Sequence, residues 1–191
     1  MTKPLNNLDQ RLSARLKQER ILRGWSLSNL AEKSGVSRAM INKVERGQSS
    51  PTAALLGRLS GAFGLNLSTL LARAENIDNV GLIREVDQTR WVDPETGYIR
   101  TQVISRTDAK FPLDIAKIEL PAGKSIAYKA ASFMHHCQII WVFSGRLTFI
   151  ELDQTHLLQP GDVLQLGAAQ DRIFSNDGAQ ICTYSVTGIR S

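Results

Sequence analysis

Two adjacent histidines and a cysteine, His135, His136 and Cys137, stand at the head of the apolar run QIIWVF, inside the stretch SFMHHCQIIWVFSG from Ser132 to Gly145. All three are metal-ligand types, and closing on one ion they would make the chain a metal enzyme or a metal sensor. Their spacing argues against that. Neighbouring side chains on a regular strand point to opposite faces, so His135 and His136 cannot share an ion, and Cys137 points away from His136. Met134, His136, Gln138, Ile140 and Val142 share one face of such a strand, and Cys137, Ile139, Trp141 and Phe143 the other. No metal and no other cofactor is expected.

A second kind of chemistry lies in the N-terminal charges. Residues 1–75 hold 12 Lys+Arg against 5 Asp+Glu, a net of +7, while residues 76–191 hold the remaining 11 against 13, a net of −2. A basic N-terminal part and a mildly acidic remainder point to a polyanionic partner for the first part alone. Cys137 and Cys182 are far apart and in no C-x-x-C pair, so a disulfide scaffold is excluded and a reducing, cytoplasmic setting is expected. No stretch approaches the roughly 20 apolar residues of a membrane span, and the opening MTKPLNNLDQRLS has no signal-peptide core.

The elements that must position these groups fall into two textures. Up to about residue 75 the chain reads as five short helices. Leu8, Leu12 and Leu16 form a stripe that continues to Arg20, and Gly24 ends the first helix. Ser26 opens LSNLAEKS, which stops at Gly35; Ser37 opens RAMINKVER, which stops at Gly47. Pro51 is read as the first residue of a fourth helix, TAALLGRLSGAF, and LSTLLAR makes a fifth. After the linker-like NIDNVGLIREVDQ come short alternating runs: a hairpin in TRWVDPETGYIRTQVIS, then LDIAKIEL, QIIWVF, LTFIEL, DVLQL, DRIFS and QICTYSV. Many short strands indicate a sandwich or barrel. The expected division is residues 1–75, helical, and 76–191, linker and β domain.

Leu27 to Arg46, LSNLAEKSGVSRAMINKVER, resembles the helix-turn-helix of the Xre/Cro-like phage repressors. Ala31 is small where the two helices cross, Gly35 supplies the positive φ of the turn, and Leu30, Val36, Ile41 and Val44 make the shared core. The other face of the second helix presents Ser37, Arg38, Ala39, Asn42 and Lys43, groups suited to a DNA groove. Arg20 continues an apolar stripe and Glu45 follows Ile41 by one turn, so both charges tip inward and each is the partner the other needs. The resemblance implies base contacts from Arg38, Ala39, Asn42 and Lys43. It places Ser26, Ser37, Gln48, Ser49 and Thr52 where phosphates lie.

From Pro121 onward the chain resembles the small cupin barrel, whose motifs read G-x5-H-x-H-x3,4-E-x6-G and G-x5-P-x-G-x2-H-x3-N. Anchored on Gly145, the first puts Gln138 at the acidic ligand, and its histidine pair falls on Ser132 and Met134 or on Ala131 and Phe133. Anchored on Gly161 of PGD, the second replaces its Pro and Gly by Gly167 and Ala169 and its histidine by Arg172, while Asn176 matches. The usual metal ligands are thus missing, and a cation at Arg172 would repel one. The resemblance implies a fold of class α + β: a five-helix lambda-repressor-like domain followed by an all-β jelly-roll cupin. It also implies a homodimeric transcription regulator of double-stranded operator DNA with a small-molecule effector. The inward face assigns Arg172, Gln138, His136, Met134, Phe174 and Tyr128 to the effector, with Tyr184 as a further rim residue. A buried arginine there asks for a carboxylate, such as an amino acid or short peptide, unless Asp171 or Asp162 pairs with it. The rival readings are a metal-dependent cupin enzyme carrying a DNA-binding appendage and an antitoxin-like interaction protein.

Overall fold

In the computed structural model, residues 7–75, 81–105, 113–133 and 136–190 are described. Five helices come first: α1 (Asn7–Leu22), α2 (Leu27–Ser34), α3 (Arg38–Glu45), α4 (Ala53–Ala62) and α5 (Leu67–Glu75). Their order and limits follow local chemistry. Ser26, Ser37 and Thr52 sit in extended backbone and accept hydrogen bonds from the amides of Asn29, Met40 and Leu55, and Gly35 takes φ 65° as α2 ends. One expectation fails here: Thr52 caps α4, so Pro51 precedes the cap instead of filling the first helical position. The threonine hydroxyl satisfies an orphan amide, which a proline ring cannot do. Leu8, Leu12, Leu16, Leu30, Val36, Ile41 and Val44 are all buried, as the stripe and the motif require.

Ten strands follow: β1 (Thr89–Val92), β2 (Ile99–Ser105), β3 (Leu113–Leu120), β4 (Lys124–Tyr128), β5 (His136–Ser144), β6 (Leu147–Glu151), β7 (Gln154–Leu158), β8 (Val163–Gln165), β9 (Arg172–Asn176) and β10 (Cys182–Arg190). They make two antiparallel sheets, ordered β1-β2-β3-β10-β5-β8 and β4-β9-β6-β7. Without the β1–β2 hairpin, the remaining eight strands have the connectivity of a jelly roll, four to each sheet, which is the cupin barrel. The fold is therefore α + β, a helix-turn-helix bundle on a cupin barrel. Two strands, β4 and β7, lie in segments where the sequence signals none. Asn176, which matches the second cupin motif, donates to the carbonyls of Leu120 and Gln180 at 2.8 Å and so ties two loops together.

Helices and barrel are packed together by side chains from both. A single apolar cluster runs from Leu8 to Val186. Gly57 and Gly61 of α4 face Tyr128 and the turn Ala130–Phe133 so closely that a Cβ on either would lie 2.6 Å from Tyr128 Cδ1 or 2.8 Å from the Ala131 carbonyl carbon. The Ser132 hydroxyl donates to the Gly57 carbonyl at 2.9 Å. Asp93, in the β1–β2 turn, accepts from the Ala53 amide at 2.6 Å, so a barrel carboxylate caps the N-terminus of a helix in the other part. Among the described residues no helix is long and apolar enough to cross a membrane.

Candidate nucleic-acid interface and enclosed cavity

The α2–turn–α3 unit divides its residues by face. Ile41 and Val44 point into the bundle, while Arg38, Ala39, Met40, Asn42 and Lys43 form one exposed surface. Met40 belongs to that surface although its apolar character hid it in the sequence. Gln48 is exposed and Ser49 half-exposed just past α3, on the side of its C-terminal end. Ser26, Ser37 and Thr52 use their hydroxyls as caps, so the free donors at the first two helix starts are backbone amides, while the expected phosphate place at Thr52 is taken by Asp93, which binds the Ala53 amide.

Charges behind the exposed face hold α3 in place. Arg20 Nε and Nη2 donate to Glu45 Oε1 and Oε2 at 2.7 Å each, and Nη1 donates to the Trp25 carbonyl at 2.9 Å. The two-pronged pair raises Arg20 above its ordinary value. Next to Arg20 in the chain, Glu19 is buried and accepts from Arg15, Arg23 and Arg73. Burial would raise its pKa, but the three guanidiniums outweigh burial and hold it at about 2. The sequence reading missed this cluster; arginines at i−4 and i+4 of an inward-tipped glutamate were the available signal.

Residues 16–70 match the model of the helix-turn-helix family HTH_3. The chain is 47% identical over 68 residues to the HTH-type transcriptional regulator SutR of Escherichia coli (strain K12), a match covering 36% of this chain and 38% of that protein. It is 34% identical over 71 residues to the HTH-type transcriptional regulator SinR of Bacillus licheniformis, covering 37% of this chain and 64% of that one. This chain thus spans less than two thirds of either relative. A solved HTH_3 family transcriptional regulator from Vibrio cholerae superposes with a TM-score of 0.78 at 21% identity, over 96% of this chain and 97% of that one, so helices and barrel together recur as one fold.

Beneath the helix-turn-helix domain, a cavity of about 40 Å³ lies at the junction with the barrel. Asn66 and Leu67, at the start of α5, roof it, and Tyr98, Arg100, Tyr128, Gln138, Phe174 and Tyr184 are among its walls. Of the residues expected at an effector, Gln138, Phe174 and Tyr128 are therefore brought together. Met134 lies outside the described residues, and so does the side chain of His136.

Arg172 is placed elsewhere, and its role is corrected. Its Nε donates to Glu151 Oε2 at 3.0 Å, its Nη2 to the carbonyls of Gly167 and Ala168 at 3.1 and 3.0 Å, and its guanidinium lies 4.4 Å from the Phe133 ring. The local carboxylate left open by the sequence is Glu151, directly opposite Arg172 on the neighbouring strand β6, because Asp171 pairs with Lys129 at 2.6 Å and Asp162 caps the Gln159 amide at 2.8 Å. A larger hollow of about 290 Å³ adjoins Arg172 on the outer face of the second sheet, but its charges are spent on each other in these pairs.

Arg100 is the cation of the enclosed cavity, and the sequence reading missed it. It is 8% exposed, donates Nη2 to Ser68 of α5, and has its nearest carboxylate, Asp114, 4.0 Å away. Burial would lower Arg100, yet neighbouring Tyr98 and Asp114 keep it above its ordinary value. Asp114 is raised by its own burial, against Arg100. Burial likewise raises Tyr128 and Tyr184. Among the described residues no three His, Cys, Asp or Glu side chains gather as a metal would need.

Proposed function

We propose that this chain is a transcription regulator that binds double-stranded operator DNA through α3 and responds to a small-molecule effector held in the barrel, probed below. The observation that carries the reading is the α3 surface: Arg38, Ala39, Asn42 and Lys43 exposed together on a helix whose other face is locked by Ile41, Val44 and the Arg20–Glu45 pair. Such a helix fits the major groove, with Arg38, Asn42 and Lys43 toward base edges. Gln48, Ser49 and the amides at the helix starts capped by Ser26 and Ser37 then meet phosphates, whereas the helix start at Thr52 already holds the Asp93 carboxylate.

A homodimer would present two such helices to successive major grooves. Support comes from the outer face of the barrel, where Ile139, Trp141, Phe143, Val163 and Ile189 are exposed on adjacent strands β5, β8 and β10. The effector reading is supported by an enclosed cavity with aromatic walls and a cation, suited to a carboxylate. The enzyme reading finds no support in the described residues, since Gln138 and Arg172 stand where the cupin resemblance implies metal ligands and the reading is of a non-enzymatic protein.

The test is selection from a random duplex library by the purified full chain, followed by sequencing. Enrichment of an inverted repeat with half-sites about one helical turn apart is expected. A pool that stays random through successive rounds contradicts the reading.

A further inference from the structure

We propose that the junction cavity binds a small carboxylate with a flat apolar body, anchored by Arg100, and that filling it lifts the start of α5 away from the barrel. The proposal rests on the regulator reading and names the ligand class and the direction of coupling.

Two buried polar atoms point to a ligand. Arg100 Nε and Gln138 Oε1 make no hydrogen bond, and both residues line the same cavity, as does Tyr128, whose hydroxyl neighbours Tyr98. Buried polar atoms left without a partner are uncommon, and two at one place mark a site built for a ligand. The cation among them is only partly served. Both oxygens of Asp114 are occupied otherwise, Oδ1 by Gln102 Nε2 at 2.6 Å and Oδ2 by Asn66 Nδ2 at 3.5 Å. A guanidinium with an unused Nε accepts a carboxylate in a two-pronged fit. Gln138 Oε1 can then accept from a donor elsewhere on the ligand. The rest of the wall is aromatic, with Phe174 stacked on Tyr184 at 6.0 Å and edge-on to Tyr128 at 5.9 Å, which suits a flat apolar body.

Size sets the direction of coupling. About 40 Å³ holds a few water molecules, whereas a cavity that takes benzene is nearer to 150 Å³. An aromatic carboxylate therefore has to enlarge the cavity. The walls formed by Gln138 and Tyr184 belong to β5 and β10, which are paired to each other and to strands on their far sides. The roof is held by few polar ties: Arg100 to Ser68, Asn66 to Asp114, and Ser132 to the Gly57 carbonyl. A ligand that takes Arg100 removes the first of these ties. Occupancy and docking of α5 then compete, and by linkage whatever re-seats α5 expels the ligand.

The test uses the full chain with sodium benzoate and sodium phenylacetate as probes, and with benzyl alcohol and sodium acetate as controls. At 10 mM, benzoate or phenylacetate is expected to raise the melting temperature by several degrees, and the controls by less than one. Hydrogen exchange should quicken at the amides of Ser68 to Leu70 and at Ser132, and affinity for the selected duplex should change at least fivefold. Arg100→Gln should abolish the melting shift. Because that change touches the junction, Gln138→Leu serves as a second variant and should weaken binding of sodium 4-hydroxybenzoate, whose hydroxyl can donate to Gln138 Oε1, five- to tenfold. No stabilisation by either aromatic acid, equal stabilisation by benzyl alcohol, or a response unchanged in both variants overturns the site. Slower exchange at Ser68 to Leu70 overturns the lifting. Failure of the regulator reading looks different: no duplex is selected, whatever the probes do.

Discussion

Glu45 and Arg20 were legible from the sequence because each is a charge on an otherwise apolar stripe, and a charge tipped inward demands a partner. With their side chains at 5% and 13% exposure, Glu45→Ala should cost about 3–5 kcal/mol, since it leaves a guanidinium unpaired. Replacing both by apolar residues should recover much of that loss in urea melts. Strict additivity of the two single changes would show that they do not interact. Glu19 makes a prediction about pH. Its folded value of about 2 lies below the ordinary 4.5, so its contribution is fully present above pH 4.5 and is lost as pH falls toward 2. Two and a half units correspond to roughly 3 kcal/mol. The stability gap between the native chain and Glu19→Gln should therefore narrow steadily from pH 5 to pH 2, and a gap that stays constant contradicts the assignment. At Arg172 and Arg100 the sequence misled. Strand alternation correctly put Arg172 inside the barrel, but a buried arginine is satisfied by whichever carboxylate arrives in register, and Glu151 pairs across from it. Arg100 was hidden because the segment was read only as a hairpin arm; in β2 it is Arg100 and Gln102 that are buried, while Ile99, Thr101 and Val103 are half-buried.

Helices were easier to read than strands. Serine caps and glycine stops are local signals, and α2 and α3 begin and end within a residue of where those signals fall. Strands β4 and β7 are short and exposed along much of their length, with alternation too weak to register. The β6–β7 turn is the plainest case. Leu152 looked like the last residue of a strand, yet it begins a two-residue turn with φ 49° and is exposed. A leucine side chain is strained in that region, where glycine is at ease. Leu152→Gly should stabilise the barrel by about 0.5–1 kcal/mol in thermal melts, and Leu152→Val should destabilise it. A loss on Leu152→Gly would mean that the exposed side chain packs in a way the turn geometry does not suggest.

At the scale of the whole molecule, the charge division anticipated two kinds of surface: a basic helical part and an acidic barrel. It could not anticipate that the two are packed together, because the contacts that join them are spread over residues far apart in sequence, from Gly57 to Ser132 and from Ala53 to Asp93. The same packing places the cavity under α5, so the coupling proposed between the cavity and the α3 face needs no long relay. Every role proposed for this molecule depends on DNA binding by the α3 face. Its most direct test is fluorescence anisotropy of the full chain and of Lys43→Ala on the selected duplex and on a scrambled one, across a salt series. For the native chain the affinity should fall steeply with salt, as expected for a part carrying +7. Lys43→Ala should weaken the selected duplex by about 1–3 kcal/mol while leaving the scrambled one much less affected. Equal loss on both duplexes, or no loss on either, would contradict the assignment of α3 as the helix that reads the sequence.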